Sequence, residues 1–196
     1  MSWARYFTPA PALERLGLTC LGVGWQEGAL RPCGPRTLDS YALVLVVRGD
    51  GWIDADGVRH PISAPAAVWL RPGMRHAYGP HQGWEEWWTL CDGSAAEIYL
   101  ELGWIGRAGP VTTLDADIAR RMVQIFVKMR RTLAEGPVDV DAILAAVLHE
   151  LMLTGRESGV RRHPLVAHAL PQSAAHRQTR MLPSVDITRP GSARSA

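Results

Sequence analysis

The chain is poor in cysteine, with three among 196 residues. Cys20, Cys33 and Cys91 show no Cys-x-x-Cys spacing, so neither a zinc knuckle nor a disulfide framework is readable. Three buried or partly buried thiols in a reducing cytosol are expected. Long apolar runs are missing as well. No window approaches the ~20 apolar residues of a membrane span. No apolar run follows the opening Met1-Ser2-Trp3-Ala4-Arg5-Tyr6-Phe7, which reads against a signal peptide. These absences predict a cytoplasmic protein with no membrane partner. An excess of one charge is also lacking. Net charge is +2, too small to draw the folded part to nucleic acid or a membrane surface. The residues Ser40, Ser63 and Ser94 lie in no Gly-x-Ser-x-Gly elbow, and Gly22-Val23-Gly24 lacks the third glycine and helix of a dinucleotide fold.

Apolar residues make up 47 % of the chain, enough for a domain with a real core. From Leu18 to Leu114 the pattern is that of short strands about ten residues apart, punctuated by glycine and proline. Tyr41–Val47 is apolar on both parities, so both of its faces should be covered. Arg48-Gly49-Asp50-Gly51 reads as a glycine turn ending that strand. Trp52–Ala55 and Val58–Ile62 flank Asp56-Gly57, a hairpin turn tolerant of positive φ. Ala66–Leu70 is stopped by Pro72-Gly73, Trp84–Leu90 follows, and Glu97–Leu102 reads as a further strand.

Beyond Leu114 the period becomes helical. Asp115 is a good N-cap for a helix from Ala116 to about Glu135, with Ile118, Met122, Ile125, Phe126, Met129 and Leu133 in one stripe. Gly136-Pro137 breaks it. A second helix starts at Asp139 or Asp141 and runs to about Thr154, with Gly155 as a C-cap. Its apolar side is open to two readings: a cover for the β-structure, or a surface that pairs with a second subunit through Ile143, Val147 and Leu151. Residues 155–170 read as a linker, and from Pro171 to Ala196 periodicity vanishes, predicting a disordered tail.

Eight tryptophans are present, five of them between Trp52 and Trp88. Along Trp84–Leu90, alternation puts Trp84, Glu86, Trp88 and Leu90 on one face and Glu85, Trp87 and Thr89 on the other. If the first set points inward, a carboxylate sits between two indoles, which suits a polyhydroxylated ligand. Otherwise the tryptophans fill the interior and the acids face solvent.

The run Leu70-Arg71-Pro72-Gly73-Met74-Arg75-His76 carries a Pro-Gly-x-x-His turn that resembles the signature of small cupin-type barrels. Enzymatic cupins hold a metal with a His-x-His pair and a third histidine. His76 matches the third, but Gly51-Trp52-Ile53-Asp54-Ala55-Asp56 has no histidine, so no metal and no other cofactor is expected. His76 alone also fits a turn histidine bonded to backbone. Residues 41–90 resemble the N-terminal sensor domain of the AraC family of transcription factors, on Arg48-Gly49-Asp50-Gly51-Trp52, Arg71–Gly79 and Trp84–Trp88, with the helix pair where that family dimerises.

That resemblance implies a mainly β fold: a cupin-type, jelly-roll-like barrel over residues 18–114, an arm over 1–17 that closes over ligand, and a dimerisation hairpin over 115–154. It implies ligand contacts at Tyr78, Trp88 and Glu86, the last where the family has histidine, and at an arginine ahead of Tyr41, with Arg31 the first candidate and Arg36 the second. Trp84 and His76 complete the expected ligand-binding set. It also implies a small-molecule, sugar-like effector, a homodimer or mixed dimer with an intact regulator, and control of transcription without catalysis. The family continues with two helix-turn-helix units. Here residues 155–170 would be a linker and the start of a truncated one, and DNA would be reached only through a domain absent from this chain. A metal-dependent cupin enzyme, an isomerase or dioxygenase, is the alternative.

Overall fold

The computed structural model describes residues 1–106 and 109–156. The expected linker and tail, 155–170 and 171–196, lie outside the described residues apart from Gly155 and Arg156.

Among the described residues, eight strands form one antiparallel sheet. They are β1 (Ser2–Tyr6), β2 (Thr19–Gly28), β3 (Cys33–Arg36), β4 (Tyr41–Ala55), β5 (Val58–Ser63), β6 (Ala66–Leu70), β7 (His76–Asp92) and β8 (Val111–Thr113). The main path runs β1-β2-β7-β4-β6-β8, while β3 pairs with β7 and β5 with β4. The first parts of β4 and the last parts of β7 carry β1, β2, β6 and β8. The opposite ends carry β3 and β5. Both halves feed a single interior cluster. Val44, Val46, Val68 and Trp84 come from one half, and Ile53, Ile62 and Tyr78 from the other. The sheet is therefore folded over on itself around an apolar interior, the mainly β, cupin-type architecture expected.

Two elements differ from the reading of the sequence. Arg48–Gly51 is not a turn. It lies inside β4, which continues to Ala55 through irregularities at Val46/Arg48 and Gly49/Gly51. Gly49 has φ +93°, and a side chain there would strike Gly83 O and come within 2.7 Å of Trp84 Cβ. The glycine permits a bulge that bends a continuous strand. Glu97–Leu102 is not a strand either. It belongs to α1 (Ser94–Glu101), which buries Ala96 and leaves Ile98 exposed. Among the described residues no side chain caps it; Gly93 O accepts from Ala96 N at 3.0 Å and Gly17 O from Ala95 N at 2.7 Å, which satisfies donors of the first turn. The Pro72-Gly73 turn is present, with Gly73 N donating to Leu38 O at 2.8 Å.

The helical hairpin is present as α2 (Ala116–Glu135) and α3 (Val140–Arg156). Asp115 O accepts from Ala119 N at 2.9 Å, though the Asp115 side chain makes no capping bond. Gly136 ends α2 in the left-handed region at φ 58°. The hairpin covers the outer face of the first half-sheet. Leu43 and Leu45 of β4 and Trp87 of β7 join Met122, Phe126, Leu148 and Leu151 in a second core, while Ala42, Val44 and Val46 point inward. Both faces of Tyr41–Val47 are thus covered. Trp87 stacks on Phe126 with centroids 5.8 Å apart.

That packing corrects the expected dimer stripe. Val147 and Leu151 are buried inside this chain's own second core, and only Ile143 of the three is exposed. Gly155 does not cap the helix. It lies within α3, buried, where an added Cβ would meet Met122 Cε at 3.4 Å and Trp69 Cζ2 at 3.5 Å, ordinary contact distances.

Candidate functional site

A cavity of about 490 Å³ opens on the inner face of the first half-sheet. Its walls come from β1, β2, β3, β4, β6 and β7. Residues 1–17, read as an arm, supply a strand: β1 pairs with the edge strand β2, and alternation turns Ser2, Ala4 and Tyr6 to the cavity. The Met1 ammonium donates to Glu27 O at 3.1 Å, and Phe7 N donates to Leu21 O at 2.9 Å, so both ends of β1 are fastened.

Trp88 forms the aromatic wall. Opposite it on β2 stand Gly24 and, one pleat further, Gly22. A Cβ at Gly24 would overlap Cε2 and Cζ2 of Trp88 and reach Nε1 at 2.7 Å, so the indole lies flat across a strand stripped of side chains. Tyr6 stands beside it over the same strand, with ring centroids 5.4 Å apart and planes tilted by 36°. Tyr78 lines the cavity from β7, and burial, then the neighbouring Glu86, pushes its phenol upward, so the hydroxyl stays a neutral donor and acceptor.

Arg36 is the positive group at this wall. Its Nε donates to His76 Nε2 at 3.4 Å, and His76 Nδ1 pairs with Met74 O at 3.0 Å. His76 therefore accepts on Nε2 and donates from Nδ1, the neutral tautomer. Burial, with Arg36 adding to it, lowers its pKa in the same sense, against the Met74 bond.

Glu86 is fully buried on the same face of β7. Gln26, its register partner on β2, donates from Nε2 to Glu86 Oε1. Glu86 Oε2 and the Trp84 Nε1 are buried without hydrogen-bond partners among the described residues. Burial pushes the Glu86 carboxyl up to about 7, against the Gln26 amide, the Trp84 indole and the Arg36 charge.

Of the residues singled out in the sequence, Tyr78 and Trp88 line the cavity. Trp84 and Glu86 share their face, as alternation requires, but stand behind the wall rather than on it. His76 also lies outside the lining and holds Arg36. Arg31 is exposed and does not line the cavity, whereas Arg36 does. The loop between β2 and β3 decides this: β3 pairs with β7, setting Arg36 opposite His76, while Arg31 precedes the strand. Sequence reasoning missed Gln26 and the β1 residues. The glycine alternation leading to Gln26, Gly22-x-Gly24-x-Gln26, is the signal that marked that face.

Cys20 and Cys91 are buried and Cys33 half-buried, all as free thiols. Burial pushes the Cys20 thiol up to about 11 and Cys91 further, so both are poor nucleophiles. Among the described residues no three His, Cys, Asp or Glu side chains are grouped to hold a metal ion. No described helix is long and apolar enough to cross a membrane.

Residues 29–152, more than half of the chain, match the family model of the AraC-like ligand binding domain. The chain belongs to that family. As an AraC-like ligand-binding domain it carries the ligand-sensing fold of a regulatory protein, and the matched span runs from the β2–β3 loop through most of α3. Solved structures with partial likeness include a cupin 2 conserved barrel domain protein from Salinispora arenicola. It is 19 % identical, covering 52 % of this chain and 84 % of that one, at a TM-score of 0.36. YhaK from Escherichia coli is 18 % identical over 47 % of this chain and 45 % of its own, at 0.40. A cupin superfamily protein from Desulfitobacterium hafniense is 8 % identical over 46 % and 76 %, at 0.34. No curated protein matches the sequence.

Proposed function

We propose that this AraC-like domain is the effector-sensing part of a transcriptional regulator, holding a small, polar, sugar-like molecule against Trp88, Tyr78 and Arg36. One observation carries the reading: an open cavity of about 490 Å³ is walled on its inner face by these three residues and edged by β1. The volume is within the range of small-molecule sites, which run from ~300 to ~1,000 Å³. An indole face takes the C–H side of a sugar ring, a phenol bonds a hydroxyl, and a guanidinium gives fixed donors to oxygen. Residues 1–17 act as the arm, 18–114 as the sensing barrel and 115–154 as the element that reports to a second subunit. A ligand acts only through its differential affinity for the states it selects. DNA is reached through a helix-turn-helix domain, in a homodimer or a mixed dimer.

Titration calorimetry against a panel of monosaccharides and aromatic acids tests this. A binder whose affinity is lost in Trp88→Ala supports the cavity, and a panel with no binder, or one indifferent to Trp88→Ala, refutes it. A metal-dependent cupin enzyme has less support, because His76 is engaged by Met74 O and Arg36. Stoichiometric iron, manganese or zinc in the purified protein would reverse that preference.

A further inference from the structure

Glu86 has no exposed surface, yet it is the partner of a residue that does line the cavity. Gln26 Nε2 donates to Glu86 Oε1. A carboxylate can only accept, so the amide is obliged to turn its nitrogen toward Glu86. In a planar amide the oxygen then points away from Glu86, and Gln26 itself lines the cavity. The other carboxylate oxygen, Oε2, stays buried without a partner, as does Trp84 Nε1 beside it. Leaving such atoms unpaired is costly, and the pair does not serve packing alone. What the buried acid does secure is one orientation of one amide.

We propose that Gln26 is a specificity-determining residue of the cavity, presenting its carbonyl oxygen to the bound molecule, and that Glu86 is the positioning residue that holds it so. The effector then carries a hydroxyl or amine hydrogen at this point, and lone acceptors are disfavoured there. The inference rests on the cavity being the effector site. Its strength depends on the charge state of Glu86, faced by Gln26 from β2, Arg36 and Cys33 from β3, and Trp84 and Tyr78 of its own strand. When Glu86 is ionised the amide has one choice. When it is protonated the acid can itself donate, and the amide is free to reverse.

Phenol and anisole form the matched probe pair, equal in ring and differing in the hydroxyl hydrogen. Binding is read from the shift of the Trp88 indole N–H in heteronuclear NMR spectra, with dissociation constants taken for each probe. The expected ratio favours phenol at pH 8, by about fivefold more in wild type than in Glu86→Gln or Gln26→Leu. In wild type the preference weakens at pH 5.5, and in Glu86→Gln it does not change with pH. Gln26 is only part-buried, so Gln26→Leu remains informative if Glu86→Gln fails to fold. Equal ratios in wild type and both variants overturn the inference while leaving the cavity intact. No shift of Trp88 with either probe counts against the cavity reading, and this inference falls with it.

Discussion

Replacing Gly24 with alanine adds one methyl group at the most crowded point of the cavity wall. The backbone there is not in the left-handed region, so alanine itself is unstrained and would stabilise by ~0.4–1 kcal/mol through the unfolded chain. Packing works the other way. The new Cβ would sit 2.7 Å from Trp88 Nε1 and nearer still to Cε2 and Cζ2, where ordinary carbon contacts need ~3.5–4 Å. The indole must therefore retreat by about 1 Å, and the neighbouring Tyr6 ring, at a centroid separation of 5.4 Å, must adjust with it. Overpacking of this kind costs ~1–3 kcal/mol, and a displaced Tyr6–Trp88 pair forfeits a further ~0.5–1.5 kcal/mol. For a chain of this size each kcal/mol moves Tm by ~2–4 °C, so the net loss of about 0.5–4 kcal/mol should fall between about 1 and 16 °C. Gly22 is the internal control. Its added Cβ would meet Tyr6 Cδ1 at 3.0 Å, Arg5 O at 3.3 Å and Trp88 Cζ3 at 3.4 Å, contacts that small shifts relieve. Circular dichroism melts of the two variants, with tryptophan fluorescence to follow Trp88, decide the matter. A Gly24→Ala protein that melts with wild type, or a Gly22→Ala protein that loses more, would refute the flat placement of the indole.

Other perturbations address the remaining parts of the structure. The Glu86 carboxyl is raised to about 7 from an ordinary value near 4.5, so between those pH values the folded state holds more protons than the unfolded. Stability should therefore fall by about 3 kcal/mol as pH rises through that window, and urea melts of Glu86→Gln should lack that decline. Arg36→Ala should weaken whichever panel compound binds by about tenfold or more, as loss of a charged hydrogen bond does, while Arg31→Ala leaves calorimetric affinity unchanged. Tyr99 OH and His149 Nδ1, 2.7 Å apart, tie α1 to α3, and Tyr99→Phe should cost about 1 kcal/mol in urea denaturation. Leu151→Ala should destabilise by ~2–5 kcal/mol, whereas exposed Leu153→Asp should stay within ~0.5 kcal/mol and shift light-scattering mass only if α3's outer face joins two copies.

The fold was legible where one physical rule governed a whole segment. Alternation along Trp84–Leu90 sorts the inward and outward side chains correctly, and the apolar stripe of Ile118, Met122, Ile125, Phe126 and Met129 is the buried face of α2. Legibility failed where a local signal had two physical meanings. Gly49 and Gly51 mark a bulge as readily as a turn, and only pairing with β7 distinguishes them. The run Glu97–Leu102 has an apolar content compatible with either period, and it lies in a helix whose first turn bonds to Gly17 O, a partner distant in sequence. The site was legible in part, since Trp88 and Tyr78 are aromatic and inward. Gln26 was hidden, and Arg36 was ranked behind Arg31, because their place depends on the register of β2 and β3 against β7, a long-range property that spacing does not encode.

Trp87 and Trp88 are joined by a single peptide bond. One indole forms the side of the ligand chamber and the other rests on Phe126 of the helical hairpin. A partition one backbone thick leaves no packing layer between the cavity and the hairpin core. The distance from the cavity to the hairpin core is the thickness of one strand.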